Sequence, residues 1–224
     1  MSSSWQRHHF LPVSGHAVKG TMTESDCLVT IIDDDASFRR STARLLRAAG
    51  HWVQTFASAV EFLNSKHPET TSCIVLDVCL PGLSGLELQQ KLSGAGIEIP
   101  LIFITGHADI PTSVRAMKAG AIEFLTKPFR DRDLLNAIEQ AVQRDRALRR
   151  EQARLQKLRE RYELLTPRER QVLALVVAGK LNKQIAAELN TVEKTIKFHR
   201  AHVMHKMEAT SVAELVRIAA SLNI

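Results

Sequence analysis

LVTIIDDDASFRRSTARLLRAAG, residues 28–50, sets a short unbroken apolar run beside an amphipathic stretch that stops at a glycine. A continuous apolar run of this length predicts a strand covered on both faces, and the stretch after it predicts a helix lying on the sheet. The same pairing recurs outward from it: HWVQTF with SAVEFLN, CIVLD with GLELQQKLSG, PLIFIT with IPTSVRAMKAG, and AIEFL with a long final helix. Five such units imply an α/β fold, a doubly wound five-stranded parallel sheet. Local signals agree. Gly50 and Gly120 stand where helices want a left-handed closing residue, and Ser58 with Glu61 and Ser84 with Glu87 have capping-box spacing.

In such a sheet the chemistry gathers at the carboxyl ends of the strands. Those ends read Asp33-Asp34-Asp35 after the first strand, Asp77 after the third, Thr105 after the fourth, and Lys127 just past the fifth. Clustered carboxylates repel one another, so at neutral pH they need shared protons or a hard cation such as Mg²⁺. A carboxylate can also attack phosphorus, provided metal and lysine stabilise charge on the transferring oxygens, and Asp77 is the best placed nucleophile. Asp33, Asp34 and Asp35 could by themselves be helix caps. Asp77 and Lys127 argue against that for the first two, and Asp35 stays a helix-start residue.

The motifs IIDDD, CIVLDVCLPGLSGLEL, PLIFITGHADI and AMKAGAIEFLTKPF make residues 28–140 resemble a receiver domain of the FixJ/NarL response-regulator type. The resemblance implies Asp77 as phosphoacceptor, Asp33 and Asp34 as Mg²⁺ ligands with the Cys79 backbone carbonyl, and Lys127 as counter-charge to phosphate. It also implies Thr105 as the switch hydroxyl, Phe124 as the aromatic that changes rotamer, and a cis Lys127–Pro128 peptide. Phe124 can equally serve as strand packing. The Cys79 thiol is expected to be inert and partly buried. His107, in the loop after Thr105, reads as a solvated histidine.

At 224 residues the chain is long enough for two domains. The expected divisions are a disordered extension over 1–21 with Met22 as a possible start, the receiver over 22–139, a helical linker over 140–165, and a further domain over 166–224. Charge follows this order: −4 over 22–139, then +4 over 140–165 and +4 over 166–224. No apolar run approaches the roughly 18 residues that span a bilayer, so a cytoplasmic protein without a membrane partner is expected. Three cysteines, an odd number without metal-ligand spacing, argue against a zinc or disulfide scaffold and are expected to be reduced, mostly buried thiols.

The basic end opens with LTPRER, where Thr166 caps, Pro167 takes the first helical position and Glu169 completes a capping box. Gly179 closes that helix, Asn182 is expected to cap KQIAAEL, and a turn at Asn190-Thr191 leads into EKTIKFHRAHVMHKM. A short helix followed by a basic one is helix-turn-helix order. Ile196, His199, Val203 and Met207 should face inward. Lys194, Lys197, Phe198, Ala201 and His205 share the opposite stripe, with Arg200 beside it. Lys197 suits guanine acceptors and Phe198 a thymine methyl, while Lys183, Lys194 and Arg200 suit phosphates. A plain solvated face is the competing account of this stripe. Residues 165–207 resemble a LuxR-type helix-turn-helix, with Asn190 in place of the usual turn glycine and Val192 in place of the usual Ser or Thr cap; Thr191 is the alternative cap.

The combined expectation is a regulator, not an enzyme. A dehalogenase-like phosphatase would need a second acid two residues after Asp77, where Cys79 stands. Phosphorylation by a partner histidine kinase is expected to pair two chains on a double-stranded operator with two half-sites and to activate transcription by RNA polymerase. Leu134, Ala141, Leu148, Leu155 and Tyr162 recur every seven residues, so 131–162 is expected to be one helix that assists pairing, or else a solvated spacer.

Overall fold

The computed structural model describes residues 27–65, 71–106 and 110–224. The extension over 1–21, Met22 and His107 lie outside them. Five strands, β1 (Leu28–Ile32), β2 (Trp52–Phe56), β3 (Thr71–Asp77), β4 (Leu101–Thr105) and β5 (Glu123–Thr126), form one parallel sheet in the order β2-β1-β3-β4-β5. The order reverses after β2, which places a crevice at the carboxyl ends of β1 and β3. The interleaved helices are α1 (Ala36–Ala48), α2 (Ala59–Leu63), α3 (Gly85–Gly94) and α4 (Ile110–Lys118).

Strands β1, β3 and β4 are buried at every position, as their unbroken apolar runs require, whereas edge strand β2 is half-buried. Ile32, Phe62, Ile74, Leu76, Leu88 and Phe103 anchor one core cluster. Burying each such side chain contributes roughly 1.5–3 kcal/mol. Gly50 and Gly120 both sit at φ 90°, closing α1 and α4 in the left-handed region that a side chain would resist. Ser84 and Glu87 form the complete capping box, but Ser58 and Glu61 form only half of one: Ser58 accepts from the Glu61 amide, while Glu61 reaches back to the Ala57 amide.

Helix α5 runs unbroken from Asp131 to Glu163, and α6 (Pro167–Val177), α7 (Asn182–Glu188), α8 (Glu193–Lys206) and α9 (Val212–Leu222) complete the chain. The chain divides into two units, the second beginning at Glu139. Leu158, Leu173, Ile185, Ile196, Val203 and Leu215 build the core of this second unit. Thr166 and Glu169 close a capping box at α6 with Pro167 inside the first turn, and Gly179 ends it at φ 79°. No helix among the described residues is long and apolar enough to cross a membrane.

Two sequence expectations fail at helix starts. The residue before α7 is Leu181, whose amide is satisfied by the Gln184 side chain. Asn182 is already helical and its side-chain Oδ1 accepts from Arg200 instead. Ahead of α8 the cap residue is Val192, with no side-chain hydrogen bond, and Thr191 does not replace it because its backbone turns in to bond Ala186. Asn190 takes the left-handed turn at φ 48°, as an asparagine standing for glycine can.

Candidate functional site

The tight turn after β1 is held by Asp35, whose carboxylate accepts from the amides of Ser37 at 2.7 Å and Phe38 at 3.2 Å. These bonds lower its pKa, with the Phe38 amide first. Asp35 is therefore the helix cap, which frees Asp33 and Asp34. Asp33 is 1% exposed and takes the Asp35 amide on Oδ1 at 2.8 Å. Asp77 ends β3 and is 7% exposed, with the Cys79 amide on its Oδ1 at 2.8 Å. Gly85 starts α3 against this turn, and a Cβ there would collide with the Asp77 carbonyl oxygen.

Lys127 joins the two strands. Its ammonium donates to Asp33 Oδ2 and Asp77 Oδ2, both at 2.7 Å. Burial opposes its charge, but the bonds to Asp33 and Asp77 prevail and hold its pKa above the ordinary lysine value. Burial also raises the Asp33 carboxyl, against the pull of Lys127 and the Asp35 amide. The Lys127–Pro128 peptide is cis.

Carboxylate oxygens of Asp33, Asp34 and Asp77 lie within 4.8 Å of one another. Among the described residues one ammonium is bonded to two of these three carboxylates, and the donors are all hard oxygens, the set that suits Mg²⁺. Thr105 is buried at the end of β4, where its carbonyl accepts the Lys127 amide at 2.8 Å. Phe124 is half-buried in β5 beside Phe103, ring centres 6.3 Å apart. The Cys79 thiol is exposed, not partly buried.

In the second unit, Lys183, Lys194, Lys197, Ala201 and His205 are exposed, and Phe198 is 58% exposed. Lys197 pairs with Glu193 one turn back at 3.1 Å, and Phe198 lies over His202 with ring centres 4.1 Å apart. Ile196, Val203 and Met207 are buried on the opposite face, with His199 half-buried. Arg200 is half-buried and turned to Asn182 at 2.9 Å. Glu169 is 3% exposed, accepts the Thr166 amide at 2.8 Å and Lys206 at 2.7 Å, and so ties the start of α6 to the end of α8. Burial pushes its pKa up, but Lys206 and Thr166 outweigh this and bring it to about 2.

The family model for the response regulator receiver domain matches residues 29–139, and that for the bacterial regulatory proteins of the luxR family matches 163–219. The chain is 50% identical over 204 residues to nodulation protein W of Bradyrhizobium diazoefficiens, covering 91% of this chain and 90% of that one. The chain belongs to the response regulators.

This response regulator is also 42% identical over 191 residues to the transcriptional regulatory protein FixJ of the same organism, covering 85% of this chain and 93% of that one. Among solved structures it is similar to the response regulator StyR, with a TM-score of 0.78, 46% identity, and coverage of 88% of this chain and 99% of that one. It is a transcriptional response regulator with a receiver and a LuxR-type DNA-binding domain. Sequence reasoning missed two contacts of this regulator. Glu169 was legible as a cap but not as a partner of Lys206, and nothing in the sequence placed Phe38 beside Lys127, 4.1 Å from its ring centre.

Proposed function

We propose that the regulator receives a phosphoryl group on Asp77 from a sensor histidine kinase. The observation that carries this reading is the single ammonium of Lys127 bridging the carboxylates that end β1 and β3, both at 2.7 Å. Asp33, Asp34 and Asp77, with the backbone carbonyl of Cys79, would hold Mg²⁺, which when bound neutralises charge on the phosphoryl oxygens. Lys127 supplies the remaining counter-charge, and its bond keeps the Asp77 carboxylate aimed. Thr105 offers a hydroxyl and Phe124 a rotatable ring as the elements that answer the new charge. Any hydrolysis is slow self-dephosphorylation.

The receiver occupies 22–139, the linker 140–165 and the DNA-binding domain 166–224. Phosphorylation pairs two chains on a double-stranded operator with two half-sites and activates transcription by RNA polymerase in the cytoplasm. Lys197, Phe198, Ala201 and His205 face base edges, and Lys183, Lys194 and Arg200 neutralise phosphates. The exposed stripe on α8 opposite Ile196, Val203 and Met207 supports this assignment. Incubating the protein and its Asp77→Asn variant with acetyl phosphate and Mg²⁺ tests the phosphoacceptor. Hydroxylamine-labile phosphate should appear on the first and be absent from the second, and an undiminished signal on the variant removes Asp77 from its role.

A further inference from the structure

An ammonium has three N–H donors, and two of those on Lys127 are taken by Asp33 and Asp77. The Phe38 ring, with its centre 4.1 Å from Nζ, covers a further side. This lies well inside the roughly 6 Å over which a cation is drawn to an aromatic face.

The ring is held in place by its own neighbours. Asp35 fixes the Phe38 amide at 3.2 Å, and Arg39, the next residue, donates to the Asp33 carbonyl at 2.5 Å, so the first turn of α1 is tied to the end of β1. Phe129, two residues past Lys127, meets the Phe38 ring edge-on at 82° with centres 6.1 Å apart. Both segments that bear the pair are thus braced against each other.

We infer that Phe38 is a positioning residue for phosphoryl transfer, its ring holding the Lys127 ammonium over the Asp33–Asp77 pair. The inference rests on the phosphoacceptor reading above. In the transfer from an acyl phosphate, a bond forms between an Asp77 carboxylate oxygen and phosphorus as the P–O bond to acetate breaks, and acetate leaves as the anion. Lys127 has to attend first the carboxylate and then the phosphoryl oxygens. A hydrogen-bond acceptor would pin the ammonium along one direction, whereas the attraction of a ring face is broad. Phe38 therefore retains the charge at the site while leaving it free to change oxygen partners. An aliphatic side chain of like size would shield the lysine stem from water but offer the ammonium nothing.

The test compares full-length protein carrying Phe38→Leu, Phe38→Met or Phe38→Tyr with the parent and with Asp77→Asn. Initial rates of labelling from acetyl phosphate with Mg²⁺ should fall about three- to tenfold in the Leu and Met variants and stay within about twofold of the parent in Phe38→Tyr. NMR without Mg²⁺ or phosphodonor reads the contact itself. The Lys127 methylene protons next to Nζ should be shifted upfield by the ring, lose that shift in the Leu and Met variants and keep it in Phe38→Tyr. Parent-like rates in Phe38→Leu and Phe38→Met, equal slowing in all three variants, or Lys127 resonances that ignore the loss of the ring would each overturn the inference. Labelling of Asp77→Asn would instead overturn the phosphoacceptor reading, leaving the NMR result to stand by itself.

Discussion

Replacing Glu169 by Gln removes one charge from the junction of α6 and α8 while keeping shape and an oxygen for the Thr166 amide. In the folded protein this carboxyl lies at about 2 against an ordinary value of 4.5. A depression of that size corresponds to roughly 3 kcal/mol. Because Lys206 is 30% exposed, solvent screening reduces the expected loss to about 2 kcal/mol. A folded pKa below the unfolded one gives stability that is present above about 4.5 and disappears as pH falls through about 2. Hydrogen exchange of the α8 amides, corrected for intrinsic rate, should show protection about 30-fold lower in Glu169→Gln at pH 7. The gap should narrow to less than half its free-energy size by about pH 3, because below about 4.5 the carboxyl of the unfolded parent takes up a proton that the folded one does not. Equal losses at both pH values would show that shape, not charge, carries the contact, and unchanged protection would refute it outright.

Gly85→Ala should destabilise the receiver by about 1–3 kcal/mol and slow labelling of Asp77, because the added methyl meets the rigid Asp77 carbonyl and not a flexible side chain; denaturant unfolding and acetyl-phosphate labelling check both. Lys197→Ala should weaken specific DNA binding by about 1–3 kcal/mol and relax preference at one base pair. Arg200→Ala should weaken binding to every sequence alike, as titration against a base-substituted operator series would show, and a uniform loss for Lys197→Ala would make that residue a phosphate contact. Leu148→Asp with Leu155→Asp should reduce phosphorylation-dependent dimerisation in analytical ultracentrifugation, and an unaltered association would leave the α5 segment as a spacer.

What was legible in the sequence is what depends on near neighbours. Strand–helix alternation, Gly50 and Gly120, and the Thr166–Glu169 box are local, and the placement of Asp33, Asp77 and Lys127 follows from strand ends in a parallel sheet. The expectation of one helix from 131 to 162 also holds, since no Gly or Pro interrupts it and α5 spans Asp131–Glu163. What escaped depends on distant partners. Asn182 has the composition of a cap, yet Arg200, eighteen residues on, claims its side chain. Composition gives the chemistry such a side chain can perform, and only the packed chain decides which partner reaches it.

The sheet order gives the charged site unequal stiffness. Asp33 follows β1 and Asp77 ends β3, strands hydrogen-bonded to neighbours on both sides, while Lys127 follows β5, a four-residue strand that among the described residues is bonded to β4 alone. One jaw of the clamp is set in the middle of the slab and the other hangs from its rim. On the phosphoacceptor reading proposed above, a gain of charge at Asp77 would meet least resistance on the lysine side, which has the fewest strand bonds to stretch.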